Sequence, residues 1–278
     1  MSRERRRVLV AAALAAAVLG TAATGCARAA SGVSQKLTVT GSTTLLPIAE
    51  LSAEMFDAAH PGTKVLVSGV GSSAGIESVI NGSSDIGTSS RDLAGTELKA
   101  GLIDTHVAID AIAVIVNPAN PVGQLTSRQA RDIFTGRVTN WREVGGPDLP
   151  ILLVNRDAAS GTRDAFGKIV LKGATFDPTA AVLPGTGQVR AVVAEARGSV
   201  GYISFGFVND QVRAVRIDGV TPTVKTIRSG AYPVRRLLHF LTRGQPTGLA
   251  REYIDYVLSA GVQADVVAKA GFMPIGRE

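Results

Sequence analysis

Three short turns concentrate hydroxyl side chains and glycine: Gly41-Ser42-Thr43-Thr44, Gly71-Ser72-Ser73-Ala74-Gly75 and Ser160-Gly161-Thr162. The last is approached from Arg156 and followed by Arg163. Each is predicted to join a strand to a helix. A helix start leaves backbone N–H groups unpaired and carries partial positive charge, so it attracts anions. Hydroxyls add donors, and glycine lets the backbone come close. Arg156 offers a planar fork suited to gripping an oxyanion through two bonds. A fourth cluster, Asp85-Ile86-Gly87-Thr88-Ser89-Ser90-Arg91, follows another predicted strand. Any one of these turns is also explained by helix capping, which Ser and Thr commonly supply. Four of them at the same end of their strands point instead to a cage for a small oxyanion. The candidate contacts are Ser42, Thr43, Thr44, Ser72, Ser90, Arg156, Ser160, Gly161 and Thr162.

The elements that must position these turns alternate along the chain. Strands are predicted at residues 37–40, 64–68, 85–88, 107–117, 151–155 and 235–242. Helices are predicted at 45–60, 74–81, 129–134, 161–171, 188–197, 249–259 and 262–270. This alternation argues an α/β fold with a mainly parallel sheet. Asn117-Pro118-Ala119-Asn120-Pro121 is a stiff break after the longest apolar strand. The strand at 235–242 would bring the chain back. The expected division is one lobe of residues 36–116 plus 225–278 and a second of 117–224, with the ligand cleft between them.

Other chemistries fit less well. Gly71-Ser72-Ser73-Ala74-Gly75 satisfies G-x-S-x-G, which would make Ser73 the nucleophile of a surface serine esterase. The required base would have to come from His60, His106 or His239, the only histidines. His60 ends a helix before Pro61-Gly62, and His239 lies in the apolar run Leu237-Leu238-His239-Phe240-Leu241. No oxyanion loop of the HGGG type precedes the motif. Scattered histidines and unclustered carboxylates give no metal signature, and no cofactor motif is present. Trp141, the single tryptophan, reads as a packing anchor.

The first residues read as an export signal: a basic head of Arg3, Arg5, Arg6 and Arg7, then an uncharged run at 8–19 too short to span a bilayer comfortably. Ala23-Thr24-Gly25-Cys26 resembles a lipoprotein processing site, with residues 1–25 removed, Cys26 lipidated and 26–35 left as a tether. Cys26 is the only cysteine, so the folded body has no disulfide of its own. Losing residues 1–25 removes four Arg and one Glu, lowering the formal charge from +6 to +3. That remainder is too mild and scattered to suggest nucleic acid.

These segments, with Ile133-Phe134-Thr135-Gly136, Thr139-Asn140-Trp141 and the stretch at 198–206, resemble the phosphate-binding component of bacterial phosphate ABC importers. The resemblance implies a two-lobed periplasmic-binding-protein fold of type II and a non-enzymatic receptor, outside the cytoplasmic membrane, that hands phosphate to a permease. A monomer is the default for a receptor that hinges. It implies ligand contacts by Arg156, Ser160, Gly161, Thr162 and Ser72. In the first turn it points to Thr43 and Thr44, with Ser42 or the N–H of Leu45 as substitutes. Some members carry Asp where this chain has Ser90, and that carboxylate accepts a proton from bound phosphate. Its replacement leaves phosphate–sulfate discrimination open, and with it a receptor for sulfate, molybdate or an organophosphate.

Overall fold

The computed structural model describes residues 34–276; the export signal and Cys26 lie outside the described residues. The chain starts with β1 (Gln35–Gly41), α1 (Leu46–Ala59), β2 (Thr63–Gly69), α2 (Ser72–Ile80) and β3 (Ile86–Ser89). It continues through β4 (Leu102–Val116), β5 (Gln124–Leu125), α3 (Ser127–Phe134), β6 (Leu152–Arg156), α4 (Gly161–Phe166), β7 (Ala181–Leu183) and α5 (Thr186–Glu195). The remainder is β8 (Ser199–Ser204), β9 (Arg213–Ala214), β10 (Arg216–Ile217), α6 (Val224–Arg228), β11 (Arg235–Arg243), α7 (Gly248–Val257), α8 (Ala260–Val262) and β12 (Met273–Pro274). A π turn, Gly167–Leu171, extends α4, so the helix predicted at 161–171 is α-helical only in its first half. No described helix is long and apolar enough to cross a membrane.

The main sheet runs β2-β1-β3-β11-β4-β8-β6-β7. Its two wings are parallel: β2 and β3 flank β1, and β7 and β8 flank β6. The middle is antiparallel, because β11 pairs antiparallel with β3 and β4, and β4 pairs antiparallel with β8. The sheet is therefore mixed rather than mainly parallel. One long strand carries the chain from the first wing to the second, and its neighbours return in the opposite sense.

β4 is 15 residues long and feeds three packing clusters. Val107 and Ala108 join Leu37, Val39, Phe56, Phe240 and Tyr253. Farther along, alternation sends Ile112 and Val114 to one face, with Trp141, Phe166, Tyr202 and Tyr232. Ala113 and Ile115 go to the other, against Val154, Val189 and Val193. Trp141 is fully buried, and its indole N–H donates to the Gly198 carbonyl at 2.9 Å.

Register brings the functional turns together. Gly41, the last residue of β1, pairs with Gly69 on one side and Thr88 on the other. α2 packs so tightly over this point that a Cβ on Gly75 would lie 2.5 Å from the Gly41 Cα and 2.6 Å from the Thr40 carbonyl oxygen. Both neighbours are backbone and cannot rotate away. Gly75→Ala is therefore expected to lower stability by about 1–3 kcal/mol, the range for overpacking a tight interior. A urea unfolding midpoint that falls at unchanged slope would show it.

Candidate anion-binding site

The turn after β1 is held by the Ser42 N–H, which donates to the Thr88 hydroxyl at 2.7 Å, and by the Thr44 N–H, which donates to the Ser42 hydroxyl at 3.2 Å. The Leu45 N–H donates to the Ser42 carbonyl. Gly71 caps α2 at φ 101°, a conformation that glycine adopts without strain, and Ser72 opens the helix. The Ser90 N–H donates to the Ser72 hydroxyl at 3.1 Å, and the two hydroxyls lie 3.3 Å apart. Ser160 caps α4 by accepting from the Arg163 N–H at 3.2 Å.

Turns from the two wings touch. The Ser73 N–H donates to the Ala159 carbonyl at 3.1 Å. The hydroxyls of Thr44 and Thr162 are 3.1 Å apart, as are those of Thr43 and Thr186. A Cβ on Gly161 would run into the Ser72 hydroxyl and sit 2.8 Å from that of Ser90, so only glycine allows this approach. The structure thus gathers all nine sequence-predicted residues. All except Thr43 are buried, and Thr43 is half-buried.

The polarity of this gathering is one-sided. The Ser42, Ser72 and Ser160 hydroxyls each accept from a backbone N–H, Thr43 and Thr186 from Arg156, and Thr44 from Arg236. An N–H or a guanidinium can only donate, so each of these oxygens already accepts a bond; the pairs Thr43–Thr186, Thr44–Thr162 and Ser72–Ser90 each use one hydroxyl proton between them and keep the other to give. Arg156, 1% exposed, donates through Nε to the Leu183 carbonyl at 3.1 Å and through Nη2 to the Pro184 carbonyl at 2.8 Å and the Thr43 hydroxyl at 3.3 Å. Its Nη1 donates to the Thr186 hydroxyl at 3.2 Å. No carboxylate pairs with it among the described residues, its neighbour Asp157 included, and burial pushes its pKa down. Asn155 and Tyr202 steady the strand end: the phenol donates to the Asn155 amide oxygen at 2.5 Å, and that oxygen also accepts from the Arg156 N–H.

Arg236 is the second buried guanidinium, and it is matched. Its Nε and Nη2 donate to Asp110 at 3.0 and 2.8 Å, and Nη1 to the Ser90 carbonyl at 3.0 Å. Asp110 is fully buried; desolvation pushes its pKa up, opposed by Arg236 and by the Ser204 hydroxyl, which donates to it at 2.8 Å. The pair is internally neutral, leaving Arg156 as the uncompensated charge.

Thr186, Arg236, Asp110 and Ser204 were not among the predicted residues. Thr186 stands in Gly185-Thr186-Gly187 at the start of α5, a turn of the same composition as the others. Asp110 interrupts the apolar run of β4, and a lone carboxylate there calls for a buried cation. Arg91 and Arg163 are engaged elsewhere. Arg91 forms a two-bond pair with Glu97 at 2.7 and 2.8 Å, which raises its own pKa and lowers that of Glu97. Arg163 lies over the Phe176 ring. The acids flanking Ser90 also face away: Asp85 accepts from Thr38, and Asp92 faces His239.

With this geometry in view, comparison with known proteins is consistent. A family model described as a PBP superfamily domain matches residues 22–260. The chain is 36% identical over 247 residues to the phosphate-binding protein PstS of Bacillus subtilis (strain 168), covering 87% of this chain and 81% of that one. It is 30% identical over 251 residues to PstS of Borreliella burgdorferi, covering 86% and 90%. A crystal structure from Clostridium perfringens, described as a phosphate ABC transporter substrate-binding protein with bound phosphate, superposes with a TM-score of 0.83 at 38% identity, covering 87% of this chain and 100% of that one. An ABC-type phosphate transport receptor from Vibrio cholerae gives a TM-score of 0.74 at 33% identity, covering 86% and 100%. The chain belongs to the PBP superfamily and, within it, to the family of these PstS proteins.

Removing one partner of the Arg236–Asp110 pair strands a buried charge. Asp110→Ala is expected to cost about 3–5 kcal/mol, whereas Asp110→Leu combined with Arg236→Met costs far less. Urea unfolding of the three proteins reads the difference.

Proposed function

We propose that this chain binds inorganic phosphate in the cage and delivers it to the permease of an ABC importer. The observation that carries the reading is the buried Arg156 guanidinium, paired with no carboxylate and flanked by the Thr43 and Thr186 hydroxyls where the turns of the two wings meet. Such a site lacks only negative charge. A dehydrated phosphate would exchange its water shell for these donors and for the starts of α1, α2 and α4. Ser42, Thr43, Thr44, Ser72, Ser90, Arg156, Ser160, Gly161 and Thr162 are the proposed contacts, with Thr186 added. The phosphate-binding relatives support the choice of ligand.

In this reading the protein is a monomeric receptor, not an enzyme. Residues 36–116 with 225–278 would form one lobe, 117–224 the other, and the lobes would close over the ligand. Contacts between turns of the two wings, such as Thr44 with Thr162, are the ones closure would make. Residues 1–25 would direct export, and a lipid on Cys26 would hold the protein at the outer face of the cytoplasmic membrane. Ser73 takes a hydrogen bond from Arg91 at 3.2 Å. The histidines face other partners: His60 the Phe56 carbonyl, His239 Asp104, and His106 Asp104. Ser73→Ala is therefore expected to leave ligand binding unchanged.

Calorimetric titration of protein freed of anion by unfolding and refolding tests the reading. Phosphate is expected to bind one to one, and sulfate silent under the same conditions would mean that an acceptor other than a carboxylate at position 90 senses the phosphate proton. Equal binding of sulfate would make this a general oxyanion receptor, with Ser90 in place of a carboxylate as the cause. No binding of any of the three would overturn the proposal.

A further inference from the structure

Outside the anion cage, Asp104 and His106 of β4 meet His239 of β11. Strand alternation puts Asp104 and His106 on one face, and register sets His239 directly opposite His106. A register shift between Leu238 and His239 re-aims the imidazole there. His239 Nδ1 lies 2.9 and 3.1 Å from the two Asp104 oxygens, and His106 Nε2 lies 3.9 Å from Asp104 Oδ2. One ligand atom from each residue falls within 4.8 Å of the others. His239 is 2% exposed, whereas the side chains of His106 and Asp104 are 47% and 30% exposed. One rigid ligand and two that solvent can reach make a site with an entry path.

We propose that these three residues bind a divalent transition metal of the zinc type, through the Asp104 carboxylate, His106 Nε2 and His239 Nδ1, with water in the remaining position. Two imidazoles and one carboxylate suit zinc or cobalt rather than magnesium or calcium. Metal–ligand bonds of about 2.0–2.2 Å require the Asp104 oxygen and His239 Nδ1 to spread by a few tenths of an ångström and the exposed His106 side chain to close on Asp104 by about half an ångström. The second nitrogen of His239 supports the assignment. His239 Nε2 is buried without a hydrogen-bond partner, and Asp92 Oδ1 stands 3.5 Å away. Once Nδ1 gives its lone pair to a metal, Nε2 must carry the proton, and Asp92 becomes its acceptor. A carboxylate behind a ligating histidine is the usual outer shell of such sites. Asp92 is thus a positioning residue.

The test adds Co²⁺ alone to protein treated with chelator and follows its visible absorption. The expected result is saturation at one Co²⁺ per chain, with bleaching by Zn²⁺. His106→Ala, at an exposed position, is expected to weaken Co²⁺ at least about tenfold, and Asp92→Asn by about tenfold. An unchanged thermal midpoint without metal shows that both variants remain folded. Absorption that never saturates, or equal Co²⁺ affinity in the parent, His106→Ala and Asp104→Asn proteins, would overturn the proposal. Because the readout is Co²⁺ itself, the outcome is independent of phosphate binding.

Discussion

A guanidinium buried without a carboxylate is the constraint on which this molecule turns. Taking a charge out of water is costly, and the usual remedy is an ion pair. Arg236 has that remedy in Asp110. Arg156 has only neutral acceptors: two carbonyls and two hydroxyls. Four contacts leave one of its five N–H donors open, and no carboxylate pairs with its charge; the field of the nearby Asp157 only partly opposes the cost of burial. The free protein carries this as a standing cost that an anion would remove.

The rest of the fold serves that arrangement. Parallel wings end their strands in helix starts, and register places Gly41 beside Gly69 and Thr88 so that three turns share one neighbourhood. Glycines at positions 41, 71, 75 and 161 are there because a Cβ would strike backbone or a cage hydroxyl. The antiparallel pair of β4 and β11 adds Arg236 and Asp110, a neutral wall that donates one hydrogen bond to the Thr44 hydroxyl without adding net charge.

Much of the site was legible in the sequence because it is local. Arg156, Ser160, Gly161 and Thr162 are consecutive features of one strand–turn–helix unit, and hydroxyl–glycine composition marks the other turns. What was not legible depends on long-range pairing. Arg236 precedes an apolar run and reads as a solvated strand end until β11 is laid between β3 and β4. The antiparallel centre of the sheet has the same origin, since alternation of strands and helices reports the wings and says nothing of how they are joined. Thr186 carried a usable signal in its flanking glycines, the same composition that singled out the other turns.

The central claim is that the Arg156 charge is held uncompensated for an anion, and the direct measurement is urea unfolding of the parent protein and Arg156→Met with and without phosphate. The account predicts that, without phosphate, the variant is at least as stable as the parent, because a buried charge has been removed. Phosphate at a hundred times its Kd should then stabilise the parent by about 2.7 kcal/mol and leave the variant unchanged. A parent indifferent to phosphate, or a variant that is destabilised yet still gains from it, would contradict the account.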